Sequence, residues 1–326
     1  MRPRPRSNST RTADSGCDVR LLFAGTPEPA VEVLQSLYRS HHEVVAVLCQ
    51  PDRPAGRGRA VVPGPVASFA REHELPLLQP DRLSEPGVQA WLTDLECDCV
   101  VVVAYGQLIP THLLTVPTHG WLNLHFSLLP AWRGAAPVQH AILRGDEVTG
   151  ACVFRIDQGL DTGPVFGCVT ERIEDHDTAE TLLHRLTHAG GDLMLAVLDA
   201  LQQGSAVARP QSADGVSLAP RISSDMTRLD WSLPAVALAR AVRAFGPVPG
   251  AWTEMNGQRI KILGVPTAVG DVHESPGQVF VQGTRVVVAA GTGAVELDVV
   301  QPAGKSAMPA AAWVRGLRTL DQARFS

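Results

Sequence analysis

No stretch of this chain stays apolar for the roughly 20 residues that a helix needs to cross a bilayer, so no helical membrane span is expected. Cysteine is sparse and scattered: Cys17, Cys49, Cys97, Cys99, Cys152 and Cys168 include no Cys-x-x-Cys pair. Cys97-Asp98-Cys99 has no second pair or histidine cluster to complete it, which argues against a zinc module. His184 and His188 are four apart in a helical pattern, but no glutamate or third ligand accompanies them, and no metal is expected. The glycine at Gly25-Thr26-Pro27 is not followed by the later glycines of G-x-G-x-x-G, so no nicotinamide cofactor is expected either. The first eighteen residues are basic and rich in serine and threonine, yet lack the apolar core of a secretory signal. They read as an unstructured extension or an upstream start, with a mitochondrial presequence as the alternative. There is no internal repeat and no coiled-coil heptad pattern.

What the chain has is length and apolar content. Its 326 residues exceed one ordinary core and suit two domains, and 45% hydrophobic residues support packing without staples. The cysteines therefore read as reduced, strand-borne thiols in a reducing cytoplasm. Net charge is -5 overall, but unevenly shared: residues 206–326 carry +3 and the preceding residues -8. A neutral-to-basic second half is a modest pointer to an anionic partner.

Short β-rich runs alternate with helical patterns in the first half. Val19 to Ala24, Glu43 to Cys49, Cys99 to Ala104 and Trp121 to His125 read as strands. Helices are expected after Pro27 with Val31, Leu34 and Leu37 on one face, and over Val66 to Glu72, Glu85 to Leu95 and Val138 to Arg144. This alternation predicts an α/β domain with a Rossmann-like, mostly parallel sheet. Gly150 to Asp157 and Pro164 to Ile173 read as two strands joined by a tight turn, followed by a long amphipathic helix over Ala179 to Leu201. The expected divisions are an extension over 1–18, a first domain over 19–203, a linker over 204–219 and a second domain over 220–326. In the second domain, Leu233 to Ala244 reads as a helix. Five short strands follow, over Ala251 to Met255, Gln258 to Leu263, Gln278 to Val281, Arg285 to Ala289 and Val295 to Val300. With their Gly-rich turns they suggest a small barrel.

The chemistry concentrates at Asn123 and His125. Side chains alternate along a strand, so these two face one way, and Asp161 in Gly159-Leu160-Asp161-Thr162-Gly163 is placed on a loop that can reach them. A donating amide, a proton-moving imidazole and a carboxylate that holds the imidazole suit acyl transfer to an amine. None of the three is an obvious nucleophile, which points to direct transfer between two bound substrates.

Asn123-x-His125, then Ser127-Leu-Leu-Pro130, then Asp161 in Gly-Leu-Asp-Thr-Gly resembles the folate-dependent formyltransferases. The run Ser127-Leu-Leu-Pro-Ala-Trp-Arg-Gly-Ala-Ala-Pro-Val-Gln139 narrows the resemblance to the methionyl-tRNA formyltransferases. Phe23-Ala-Gly-Thr-Pro27, Pro51-Asp-Arg-Pro-Ala-Gly-Arg-Gly58, Val102-Val-Ala-Tyr-Gly106, Asp230-Trp-Ser232, Arg243-Ala-Phe-Gly-Pro247 and Gln301-Pro-Ala-Gly-Lys305 fit it too. The similarity runs over about residues 19 to 318.

The resemblance implies an OB-like second domain. It also implies 10-formyltetrahydrofolate as donor, held by Ser127, Leu128, Leu129 and Pro130 with Ala104, Tyr105 and Gly106 on the opposing wall. The acceptor would be initiator methionyl-tRNA, met by Arg53, Arg57 and Arg59 in a basic loop and by barrel cations. Arg243 and Lys305 lead that set, and Arg240, Arg259 and Lys261 are further phosphate contacts. In the implied roles, Asn123 steadies the oxygen that becomes negative, His125 shuttles the proton and Asp161 orients the ring. A monomer in the cytoplasm is expected. The sequence departs from the family at Phe126, where many members have glycine, which predicts a reshaped pocket rim. It departs again at Arg59-Ala60, where a Lys-Lys pair is common, which predicts weaker loop affinity. The rival readings are a formyltransferase acting on a small amine and a non-catalytic RNA-binding protein on the same scaffold.

Overall fold

The computed structural model describes residues 18–55, 60–270 and 272–326. The first domain opens with β1 (Arg20–Gly25), α1 (Glu28–Arg39) and β2 (Glu43–Leu48), then a small hairpin of β3 (Arg53–Ala55) and β4 (Ala60–Val62). It continues with α2 (Pro65–Glu72), β5 (Leu77–Leu78), α3 (Val88–Asp94), β6 (Cys99–Val103), β7 (Trp121–His125), α4 (Pro137–Arg144), β8 (Val148–Arg155), β9 (Val165–Arg172) and α5 (Ala179–Gln202). Seven strands form one sheet in the order β5-β2-β1-β6-β7-β8-β9. The first five are parallel, whereas β7–β8 and β8–β9 are antiparallel.

Strand order reverses at β1, which lies between β2 and β6. In open α/β sheets such a switch point leaves a crevice beyond the carboxyl ends of the strands. The segments leaving β1, β6 and β7 there are Gly25-Thr26, Ala104-Tyr105-Gly106 and Phe126-Ser127. One face of the sheet packs under α1 and α5. The apolar stripe of α1 is Ala30, Val31, Val33, Leu34 and Leu37, all buried. α5 starts at a capping box between Thr178 and Thr181. Gly190 lets that helix lie directly on β7, since a Cβ there would come within 2.8 Å of Leu124. Leu122, Leu124 and Phe126 fill this face, so Asn123 and His125 take the other. Phe126 is thus a core residue rather than part of a pocket rim, and it does not adopt positive φ. The expected effect on the rim is corrected accordingly.

The turn expected between β8 and β9 is a loop over 156–164. These two strands also overturn the reading of all cysteines as thiols: Cys152 and Cys168 stand directly opposite and form a disulfide. Two thiols in register on neighbouring antiparallel strands are close enough to join. Cys49, Cys97 and Cys99 are free and buried, and burial pushes the Cys49 and Cys97 thiols up to about 11. Cys17 and the expected 1–18 extension, apart from Asp18, lie outside the described residues.

Residues 203–220 do not hang free. Arg209 bridges to Val165, and Leu218 runs beside Arg133 in a short parallel bridge. Beyond them α6 (Ala235–Phe245) packs against α4, and the Arg243 guanidinium reaches back to the Asp177 carbonyl at 2.7 Å.

Among the described residues the second domain carries eight strands where five were expected: β10 (Trp252–Met255), β11 (Gln258–Leu263), β12 (Thr267–Val269), β13 (Val279–Gln282), β14 (Arg285–Ala289), β15 (Ala294–Glu296), β16 (Val299–Pro302) and β17 (Met308–Pro309). α7 (Ala310–Arg315) follows. The strands form two antiparallel sheets, β10-β11-β16-β17 and β12-β15-β14-β13. The expected strand over Val295 to Val300 is in fact two, because the chain crosses from one sheet to the other at Leu297-Asp298.

Candidate active site

His125 ends β7 with only 5% of its surface exposed. After Phe126 and Ser127 the chain turns sharply: the Ala131 N–H bonds the Leu128 carbonyl, and the Ser127 hydroxyl donates to the Ala131 carbonyl at 2.6 Å. Trp132 then takes φ of +58°, held by its N–H to Ser217 Oγ and by its indole N–H to Asp146. This twist aims the Trp132 carbonyl at His125 Nε2, 2.9 Å away. A carbonyl only accepts, so the ring proton sits on Nε2, and Nδ1 presents its lone pair.

Asp161 lies on the other side of the ring, with Oδ2 3.7 Å from Nδ1. That distance is too long for a hydrogen bond, and two acceptors face each other. The expectation that Asp161 orients the ring is corrected here: the Trp132 carbonyl orients the neutral imidazole. Asp161 is placed to stabilise a proton arriving on Nδ1. Burial lowers the His125 pKa below its ordinary value, opposed by the Asp161 charge and by the Trp132 carbonyl. The resting ring is therefore a neutral base.

Asp161 itself adopts φ of +51°, a conformation that aspartate tolerates better than most residues. Its Oδ2 accepts the Gly134 N–H at 2.8 Å. Gly134 has φ of +125°, and a Cβ there would come within 2.6 Å of the Ala219 carbonyl. The loop ahead of Asp161 is braced by Asp157, which accepts from the Gly159 N–H and the Thr162 hydroxyl.

Asn123 shares the His125 face one residue pair further back, between Val102 of β6 and Phe154 of β8. Among the described residues its amide bonds no other group, which leaves its N–H donors open to a ligand. The opposing wall is shaped by backbone. Ala104 and Gly106 both have positive φ. The Tyr105 carbonyl accepts from Gln50 Nε2 at 2.8 Å and from the Thr26 hydroxyl at 3.2 Å. The Tyr105 ring belongs to the core beneath, 2% exposed, so this residue can meet the crevice through its backbone. Leu128 packs on Gly150, whereas Leu129 and Pro130 border a cleft of about 390 Å³ with Val165, Phe166, Arg209 and Gln211. A larger cavity, about 670 Å³, lies in the second domain beside Trp231 and Ser326, remote from these groups in the fold. Convergence of polar side chains, rather than cavity size, marks the site.

Sequence reasoning missed Gln211. From the segment expected only to tether, its Nε2 donates to the Asp161 carbonyl and to the Gly163 carbonyl, both at 2.8 Å. Its Oε1 accepts from Arg133 Nε and Nη2 at 3.1 and 2.6 Å. One side chain thus ties the Asp161 loop to the turn that carries the Trp132 carbonyl. A glutamine in a Ser/Pro/Gly-rich stretch carries no local pattern that announces this.

Of the expected RNA contacts, Arg53 is exposed on β3 and bonds Gln50 Oε1, which links the basic hairpin to the Tyr105 wall. Arg57 and Arg59 lie outside the described residues. Lys305 is exposed in the turn between β16 and β17. Arg243 is half-buried and one of its N–H groups is occupied by Asp177. Arg240 lies against Gly145, and Arg259 stacks over Trp252 at 4.2 Å. Lys261 pairs across to Trp252 in the β10–β11 ladder. His184 and His188 do not meet: one faces Glu32 at 3.7 Å, the other Asp192 at 3.6 Å.

Residues 19–198 match the family model described as formyl transferase, and residues 221–318 match the formyl transferase C-terminal domain. A methionyl-tRNA formyltransferase of Salinispora tropica is 50% identical over 92% of this chain and 97% of its own length. One from Mycobacteroides abscessus is 52% identical over the same shares. Among solved structures, HypX from Aquifex aeolicus superposes with a TM-score of 0.65 at 17% identity, covering 93% of this chain and 49% of that one. WlaRD, a sugar 3N-formyl transferase, gives a TM-score of 0.65 at 17% identity over 88% of this chain and 99% of its own. At that identity the likeness is one of fold.

Proposed function

The chain belongs to the formyl transferase family, and from that premise we propose that it moves the formyl group of 10-formyltetrahydrofolate to the α-amino group of methionine on initiator methionyl-tRNA. What supports the reading is that Asn123 and a neutral His125 share one face of β7 with Asp161 3.7 Å from the ring, on a chain that matches methionyl-tRNA formyltransferases over 92% of its length.

The amine nitrogen attacks the formyl carbon, and the new C–N bond forms as charge builds on the formyl oxygen. Asn123 donates to that oxygen, a contribution of about 2.7–4 kcal/mol in comparable preorganised sites. The nitrogen sheds a proton to His125 Nδ1, where the ring becomes an imidazolium between the Trp132 carbonyl and the Asp161 carboxylate. As the bond from carbon to the donor nitrogen breaks, His125 returns that proton to the leaving nitrogen and the ring is neutral again. Backbone groups of Leu128 to Pro130 and Ala104 to Gly106 frame the slot for the flat folate ring. The transfer calls for no metal. The β3–β4 hairpin, joined to the crevice wall through Arg53 and Gln50, would bring the acceptor end of the RNA to the site, and Lys305 would hold phosphate further along. We place the protein in the cytoplasm and expect it to act as a monomer.

A formylation assay tests this directly: charged initiator tRNA should be formylated, while small amines and amino sugars should not. Preference for a small amine would instead favour the sugar-type activity of the more distant structural relatives.

A further inference from the structure

At the corner between α1 and β2, on the rim of the sheet, His41 and His42 turn toward the end of α5. Each Nε2 lies 3.2 Å from the same atom, Asp199 Oδ1, and His41 Nε2 is 3.3 Å from Gln202 Oε1. Consecutive side chains ordinarily diverge. Here Ser40 bends the backbone, bonding the Leu37 carbonyl and accepting the His42 N–H, and the two rings come within 4.1 Å of each other. The ligating atoms of His41, His42 and Asp199 all lie within 4.8 Å of one another. Ligands bound at about 2.0–2.1 Å around a tetrahedral ion stand roughly 3.3 Å apart, the spacing from Asp199 Oδ1 to each ring and from His41 to Gln202.

A second observation points the same way. The His42 side chain is fully buried, and neither its Nε2 nor Asp199 Oδ1 makes a hydrogen bond, although the two are in contact. Buried polar atoms left unsatisfied are costly, and a shared cation satisfies both at the expense of one backbone contact, that of the Val19 N–H with His42 Nδ1. We propose that His41, His42 and Asp199, with Gln202 Oε1 as fourth ligand, bind one first-row divalent transition-metal ion that pins the α1–β2 corner to the end of α5. Two imidazoles with a single carboxylate suit zinc, nickel or copper rather than calcium or magnesium, which favour all-oxygen sites. In the metal-free state His42 Nδ1 accepts the Val19 N–H at 3.4 Å, which puts the ring proton on Nε2. Metal on Nε2 moves that proton to Nδ1 and breaks the Val19 contact, so the two states exclude each other.

The test is zinc titration of the full chain, freed of any histidine tag, by competition with a chelating indicator. Melting curves and the Val19 amide NMR signal are followed in parallel. One zinc per chain is expected, with a higher melting temperature and a shifted Val19 signal. His41→Ala, whose ring is largely exposed, and Asp199→Asn each remove a direct ligand and should weaken binding by more than the about 10–100-fold that loss of a supporting outer group costs, and abolish both shifts. His184→Ala should change nothing, and magnesium should have no effect. Zinc binding of equal strength in the wild type and both ligand variants, loss of binding in His184→Ala, or no stoichiometric binding at all would overturn the proposal. The outcome does not depend on formyl transfer.

Discussion

Replacing Gln211 by alanine removes four part-buried hydrogen bonds at once. Each is worth about 0.5–1.5 kcal/mol net, and one side chain making four will not sum fully, so roughly 2–4 kcal/mol is expected. For a domain of this size that lowers the melting temperature by about 5–15 °C. The larger consequence is local. Asp161 sits at positive φ, and the Gln211 bond to its carbonyl helps to hold it there. Release lets the carboxylate drift from His125 Nδ1, and a displacement of about 1 Å near reacting groups costs on the order of 10²-fold. Gln211→Ala should therefore lower kcat by about 10²-fold with little change in KM for charged tRNA. Gln211→Glu separates the two halves of the role. Its carboxylate still accepts from Arg133 but places an oxygen against the Asp161 and Gly163 carbonyls, so kcat should fall at least as far as in the alanine variant. Steady-state formylation kinetics on both variants, beside their melting curves, decide the matter. Gln211→Glu with wild-type kcat would show that the residue serves only Arg133, and the reasoning about Asp161 would fail.

His125→Ala should cost about 10²–10⁴-fold in kcat while tRNA binding, measured by filter retention, holds within twofold. The rate, read as kcat/KM, should rise with pH through a value below 6.5 as His125 loses its proton; Asp161→Asn removes the charge that raises this pKa, so the rising limb should move to still lower pH and kcat should drop. Because the native pKa values of His125 and His42 are depressed, the folded state should lose stability as pH falls from 6.5 toward them, which urea midpoints between pH 7 and pH 5 will register. Changing Arg53, Arg57 and Arg59 to alanine should weaken tRNA binding and flatten its dependence on log salt by up to about 0.7–0.9 per lost phosphate contact; an unchanged slope would remove the hairpin from the interface.

The parts of the fold that could be read from the chain are those written in local periodicity. β7 runs over the same five residues expected, and α1, α2, α4 and α5 fall within a few residues of their apolar stripes. Asn123 and His125 share a face for the same local reason. What escaped depends on contacts between residues far apart. The Trp132 carbonyl becomes a ring acceptor only because Ser217 and Asp146 twist residue 132. Gln211 matters only because the second strand of a distant bridge brings it to Arg133. The Cys152–Cys168 pair is legible by register, since a hairpin symmetric about Leu160 sets those two opposite each other, whereas composition shows only scattered cysteines. In the second domain the division at Leu297-Asp298 leaves no mark in a run of β-formers, since both halves are extended and only their partners differ.

The bridge between β8 and β9 has a bearing on how the enzyme is handled. His125, Cys152 and Cys168 occupy one lateral row, each opposite the next. Cys168 stands at the solvent side of that row, and Asp161 falls inside the covalent ring that the two sulfurs close. A reducing agent added during purification therefore acts on the strand next to the imidazole and opens the ring that holds its carboxylate. Preparations made with and without thiol are therefore to be compared in rate only beside a free-sulfhydryl count.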